Sequence, residues 1–152
     1  MDKALCLLLL TTWEFCPPNA PIPQKAIIAG HDSDGSPLYV GRAIHEGDQL
    51  PGKVAANRHM AYVSYGGREY RKSAFDVLVN GNVSWVRSGF GEVPRNAILG
   101  GRTWNGEPLY IGRANYRGSL APGKIFQRHR TLYISYGGRE ISIRDYEVLV
   151  EN

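Results

Sequence analysis

Cysteine is scarce. The two in the chain, Cys6 and Cys16, both stand ahead of the repeated body described below, so no disulfide framework can span that body and its stability has to come from packing. Long apolar runs are missing as well. The stretch from Ala4 to Leu10, behind Lys3, falls far short of the roughly 20 residues that a membrane-spanning helix requires. It is like the opening of a secretory signal, but no small-x-small cleavage site follows, and Trp13 reads as part of the folded body. The expectation is a protein that stays in the cytoplasm or leaves by a non-classical route, with secretion through a short N-terminal signal as the alternative. Residues 1–12 are set apart as an N-terminal apolar segment.

Signatures of catalysis are absent too. The chain holds no H-E-x-x-H, no C-x-x-C, no P-loop and no G-x-S-x-G, and its four histidines, His31, His45, His59 and His129, do not fall at metal-ligand spacing. Paired carboxylates that meet only in the fold escape such a search, but nothing points to them. The reading is of a binding module, not an enzyme, with no metal and no cofactor.

Glycine and proline are abundant, at 18 and 9 of 152 residues, and they punctuate short runs of Val, Ile, Leu and Tyr. Sheets with many tight turns carry such punctuation; helices tolerate it poorly. Residues 37–45 alternate, with Leu38, Val40, Arg42 and Ile44 on one side and Tyr39, Gly41, Ala43 and His45 on the other, the two-residue period of a strand. Residues 60–65 and 75–79 read the same way. Asp34-Gly35, Pro51-Gly52, Gly66-Gly67 and Asn80-Gly81 supply turn signals between them, as do Asn105-Gly106, Pro122-Gly123 and Gly137-Gly138 further on. A net charge of +4 tilts the choice of partner toward acidic surfaces.

The chain repeats itself. Residues 26–80 align with 97–151 without a gap, and 24 of the 55 positions are identical. Upstream, Trp85 answers Trp13 after a one-residue slip, which sets the first repeat at 13–80 and the second at 81–152. A single unit of this size makes a marginal core. The predicted architecture is therefore all-β, with two tandem repeats of about 71 residues packed around a pseudo-twofold axis as a β-sandwich or barrel-like unit and forming one compact domain.

The motifs shared by the two copies resemble the DM-nine repeat family of invertebrates. They are Gly30, which Asp32 follows in the first copy alone, Leu38 to Ala43, Pro51 to Lys53, Tyr65 to Glu69 and a closing V-L-V, and the likeness covers nearly everything from Trp13 onward. It implies a tandem-repeat all-β fold, frequent homodimers and, as in the characterised bivalve members, a mannose-binding lectin acting in innate pathogen recognition. The family's sugar contacts are an acidic residue just after the first glycine and the lysine of P-G-K. Carried over, these are Asp32 and Lys53. The second copy keeps Lys124 but has Thr103 in place of Asp32, which puts a second equivalent site in question.

Each candidate has a plainer reading beside the functional one. Lys53 after Pro-Gly is also what a solvated turn lysine looks like, and Asp32 could simply cap its turn. What favours a site is chemistry: a carboxylate accepts from two neighbouring sugar hydroxyls while a lysine donates to adjacent oxygens. His31 and Asp48 are lesser candidates by proximity. Trp104, in a predicted exposed turn where the first copy has Ser33, is a candidate contact or a packing residue. Tyr39, Tyr65, Tyr110 and Tyr136 read first as packing and second as platforms for a sugar ring. Arg42 and Arg113, on a strand face with apolar neighbours, need carboxylates, and Glu69 and Glu140 are the expected partners in structural ion pairs. Basic clusters at Arg58, Arg68, Arg71 and Lys72, and at Lys124, Arg128, His129 and Arg130, support an alternative: a non-lectin protein that binds anionic membrane or glycan surfaces. Nucleic acid is the least favoured partner.

Overall fold

The structure is a computed structural model that describes residues 10–152. Cys6 and all of the apolar stretch but Leu10 lie outside the described residues, and so does the question of a signal. The fourteen strands are β1 (Thr12–Cys16), β2 (Ile28–His31), β3 (Pro37–His45), β4 (Asp48–Ala55), β5 (Met60–Tyr65), β6 (Arg68–Lys72), β7 (Phe75–Val79), β8 (Val83–Gly89), β9 (Leu99–Arg102), β10 (Pro108–Tyr116), β11 (Ser119–Phe126), β12 (Thr131–Tyr136), β13 (Arg139–Ile143) and β14 (Asp145–Glu151). Single 3₁₀ turns at Ala56–Arg58 and Gln127–His129 are the only helical elements among the described residues. The three strands read from alternation, β3, β5 and β7, form where the pattern puts them.

The tight connections follow from residues that accept positive φ. Gly66-Gly67 and Gly137-Gly138 join β5 to β6 and β12 to β13, at φ near 57° and 85–87°. The β3–β4 and β10–β11 hairpins turn instead on Glu46-Gly47 and Arg117-Gly118, where φ is again positive at both positions. Pro51-Gly52 and Pro122-Gly123 are not turns, contrary to the sequence reading: they lie in the middle of β4 and β11. Their glycines serve close approach. A Cβ at Gly52 would sit 2.3 Å from the carbonyl oxygen of Tyr62, and one at Gly123 2.0 Å from that of Tyr133.

Each repeat lays its strands out in the same order, β1-β7-β3-β4-β5-β6 in the first and β8-β14-β10-β11-β12-β13 in the second. The two ladders meet where Arg68 of β6 stands opposite Arg139 of β13. Each of these residues is the other's repeat equivalent, so a pseudo-twofold axis passes between them. β2 pairs with β3 of its own repeat and also reaches β11 of the other, through His31 and Leu120. The circuit β2-β3-β4-β5-β6-β13-β12-β11 therefore closes into an eight-stranded barrel, with the remaining strands packed outside it.

Three apolar clusters fill this frame. One is centred on repeat two but takes in Leu38, Ala55 and Tyr62 of repeat one. Its counterpart is centred on repeat one and takes in Leu109, with Phe126 packed against it. The third lies between the halves, where Val40, Leu78, Ile111 and Leu149 are sealed by Trp13 and Trp85. Cys16, buried at 2% exposure, belongs to the first repeat's core and does not precede it. Because the cores are shared across the axis, β4 and β11 are buried on both faces.

The arginine pairing differs from expectation. Arg42 donates from Nε to Asp76 at 3.0 Å and Arg113 from Nε to Glu147 at 3.0 Å, each lying over a tryptophan ring, Trp13 at 4.0 Å and Trp85 at 4.3 Å. Register explains the choice: Arg42 is the direct cross-strand neighbour of Asp76, and Arg113 of Glu147. Glu69 and Glu140 are committed elsewhere.

Candidate functional site

A lysine on a strand buried on both faces has to be neutralised where it stands, since an unpaired ammonium in the interior costs several kcal/mol. Lys53, 6% exposed, donates from Nζ to the carbonyl of Ser135 in the other repeat at 2.8 Å and lies 3.5 Å from Glu69 Oε2. Lys124, 7% exposed, mirrors it, donating to the carbonyl of Ser64 at 2.6 Å and meeting Glu140 Oε2 at 3.0 Å. Both are therefore interior lysines that tie the halves together, not solvated turn lysines. Each has tyrosine rings within 6 Å, Tyr62 and Tyr136 for Lys53, Tyr65 and Tyr133 for Lys124.

The glutamates complete the tie. Glu69 Oε1 accepts from the Gly138 amide at 3.1 Å, and Glu140 Oε1 from the Gly67 amide at 3.0 Å. The other oxygen of each is buried with no directed hydrogen bond, and only the neighbouring ammonium charge compensates it. An ammonium has three N–H groups. With one on a carbonyl, each lysine has N–H groups that no directed protein hydrogen bond uses.

Two open clefts lie beside these lysines, related by the pseudo-twofold axis. The first, of about 310 Å³, is lined by Asp32, Lys53, Arg58, Tyr62 and Glu69 of repeat one together with Tyr136 and Gly137 of repeat two. Asp32 and Lys53 thus share one cavity although they come from different parts of the sheet. Asp32 Oδ1 accepts from the Ser33 amide at 2.8 Å, and Oδ2 accepts from Arg58 Nη2 at 2.8 Å. Arg58 also donates to the Tyr62 hydroxyl at 3.2 Å; that bond, and then the one to Asp32, hold its guanidinium more firmly protonated than usual.

The second cleft, of about 190 Å³, keeps the same frame of Lys124, Tyr133 and Glu140 with Tyr65 and Gly66 from the opposite repeat. Its other walls differ: Thr103, His129, Phe126, Leu50, Leu109 and Asp48. The Thr103 hydroxyl is absorbed in its own turn, bonded to Asn105 and accepting from the Glu107 amide at 3.0 Å. Asp48 is 7% exposed and accepts from the Trp104 amide at 2.7 Å. Burial, and after it the Glu140 charge, push the Tyr133 hydroxyl above its ordinary range.

The remaining candidates scatter. His31 is exposed, with its ring nitrogen 3.0 Å from the Asp32 carbonyl, and does not line the first cleft. Trp104 is 75% exposed and is not among the residues lining the second cleft; its backbone amide donates to Asp48, which does line it. Tyr39 and Tyr110 pack against the cores. The basic clusters dissolve in part: Lys124 is internal, Arg58 is Asp32's partner, and Arg128 is paired with Glu107. Sequence reasoning missed Arg58 as a site residue. It also missed that Tyr136 and Gly137 serve the cleft of Lys53, because their contribution crosses from one repeat to the other. A wider groove of about 400 Å³ beside Arg113 has its charges already matched, Arg87 with Asp145 and Arg113 with Glu147.

Comparison with known proteins places this geometry. A family model described as DM9 repeat matches residues 11–54 and 32–143. Natterin-3 of Thalassophryne nattereri is 28% identical over 144 residues, covering 92% of this chain and 36% of its own length. Natterin-4 of the same organism is 28% identical over 138 residues, covering 88% of this chain and 33% of its own. The chain thus spans about a third of the length of these relatives. The crystal structure of the nematode sperm cell motility protein MFP2B superimposes with a TM-score of 0.69 at 16% identity, over 95% of this chain and 47% of that one. That likeness is one of fold alone.

Proposed function

This chain belongs to the DM9 repeat family, and on that premise we propose that it is a carbohydrate-recognition module whose main site is the cleft holding Asp32 and Lys53. Mannose-type glycans are the proposed ligands, bound reversibly, without catalysis, metal or cofactor. The observation that carries the reading is the meeting of Asp32, Lys53 and Tyr136 in one open, sugar-sized cavity. Each Asp32 oxygen already accepts one donor and has a lone pair left for one of two vicinal hydroxyls; charge-assisted bonds of this kind are roughly twice as strong as neutral ones. A remaining N–H of Lys53 can donate to a ring or hydroxyl oxygen. Tyr136, reaching in from the other repeat, offers a partly apolar face to the sugar ring.

The proposal extends to a role in innate recognition and to a homodimer that would double the sites. The alternative, adhesion to anionic membranes or glycans through basic strands, has fewer free cations than the sequence suggested, since Lys124, Arg58 and Arg128 are engaged internally. A glycan array followed by calorimetry tests the main reading. Mannosides should bind with chelator present, and Asp32→Ala should weaken binding at least tenfold without unfolding the protein. Unchanged affinity in that variant, a calcium requirement, or no neutral sugar bound at all would overturn it.

A further inference from the structure

The second cleft shares its frame with the first but not its walls. At repeat-equivalent positions Asp32 is answered by Thr103, Arg58 by His129, Ala55 by Phe126, and Ala121 by Leu50. The cleft lined by Thr103, His129, Phe126 and Leu50 has lost the carboxylate–guanidinium pair that would grip vicinal hydroxyls. It has gained an apolar floor and has shrunk from about 310 to about 190 Å³.

A carboxylate is nonetheless present, and it comes from the opposite repeat. Asp48 is 93% buried by its 7% exposure and lines this cleft; one oxygen accepts from Trp104, and among the described residues the other takes no protein donor. Its own equivalent, Ser119, is spent on the Tyr116 carbonyl, so the first cleft has nothing comparable. That second oxygen is not among the fully buried unpaired atoms, so it is open to the cleft and free to accept an N–H or O–H from a ligand. Lys124, which lines the same cleft, has an N–H left for an acceptor. Leu50 and Phe126 line the same cleft.

A donor, an acceptor and a small apolar group within a cavity of this volume are the three parts of an acetamido substituent. We infer that the second cleft recognises the acetamido group of an N-acetylated hexosamine, with its N–H on Asp48, its carbonyl on Lys124 and its methyl against Leu50 and Phe126. This rests on the reading of the chain as a carbohydrate-recognition module, and it makes the two clefts specific for different sugars.

Calorimetry on the full chain with methyl mannoside and methyl N-acetylglucosaminide separates the two claims. The sugars should bind together without competing. Asp32→Ala should weaken mannoside binding at least tenfold and leave N-acetylglucosaminide untouched, while Asp48→Ser should weaken N-acetylglucosaminide at least tenfold and leave mannoside alone. Competition between the sugars, or mannoside binding with no N-acetylglucosaminide binding, would overturn this inference and spare the first. Failure of both sugars would sink both. Should Asp48→Ser not fold, Phe126→Ala carries the same expectation, and chemical-shift changes confined to the Phe126 and His129 signals on adding N-acetylglucosaminide test the location in the unaltered protein.

Discussion

The two clefts carry the same lysine, glutamate and tyrosine in the same places, yet only the first has a carboxylate–guanidinium pair at its mouth. Their shared parts are those that hold the halves together: lysine to the far repeat's carbonyl, glutamate to the far repeat's glycine amide. Their differing parts have no such duty. Asp32, Arg58, Thr103 and His129 sit where replacement leaves the β6–β13 junction intact. Retention of a residue in both repeats therefore marks the scaffold first, and a ligand role is an addition to that duty.

The largest expected effect tests this equality of frames. Glu69→Ala and Glu140→Ala should each cost about 3–5 kcal/mol, because each strands a buried lysine and a glycine amide. Denaturant unfolding would show it, with melting temperatures down by roughly 6–20 °C. A marked inequality between the two would break the symmetry argued from geometry. Gly52→Ala and Gly123→Ala come next, at about 1–3 kcal/mol each, since the added methyl meets a backbone carbonyl that has little room to retreat. If either proves neutral in the same assay, the P-G-K motif does not act through close approach.

A graft sharpens the comparison on the functional side. The double variant Thr103→Asp, His129→Arg places a carboxylate and guanidinium at the second cleft, and weak additional mannoside binding should appear in a titration. Stability should shift by no more than about 1 kcal/mol, as for other half-exposed pairs. The smallest effect concerns pH. His45 lies stacked on Tyr70 and edge-on to Tyr65, where the second repeat has Tyr116 against Tyr136. Burial, and then the nearby Lys72, push its pKa below the usual value; Glu46 and Asp48 oppose this, and Lys124 adds to it. The neutral ring is the folded form. The stability tied to it is full above about pH 6.5 and erodes as pH falls through the depressed native value. His45→Tyr should flatten that part of a melting-temperature profile between pH 7.5 and 5; an unaltered slope would assign the dependence to other groups.

Much of the fold was legible in local pattern. Alternation in residues 37–45 marks β3, although burial does not keep to one face, since Leu38 and Val40 are buried on one side, Gly41 and Ala43 on the other, and Ile44 is exposed; Gly66-Gly67 marks a hairpin because both positions take positive φ. Pro51-Gly52 misleads for an equally local reason. The pair is common in turns, and only the carbonyl of Tyr62 lying against Gly52 reveals that the glycine is there for space. Arg42 was seen to need a carboxylate, but Glu69 and Asp76 are chemically alike, and strand register alone selects Asp76. Asp32 and Lys53 were proposed together on resemblance, whereas Arg58 went unnoticed because its partner is reached only through the 3₁₀ turn that ends β4.

By itself the sequence determined that the protein is duplicated, that its elements are short strands, and where most of its turns fall, since these depend on neighbours a few residues apart. Tertiary structure alone decided that β4 and β11 are buried on both faces, that their lysines reach across the axis, and that each cleft borrows a tyrosine and a glycine from the opposite repeat. Closure of the barrel brings together groups 60 to 82 residues apart. No local pattern encodes such a meeting, because the partners on each side are chemically equivalent until the strands are laid next to one another.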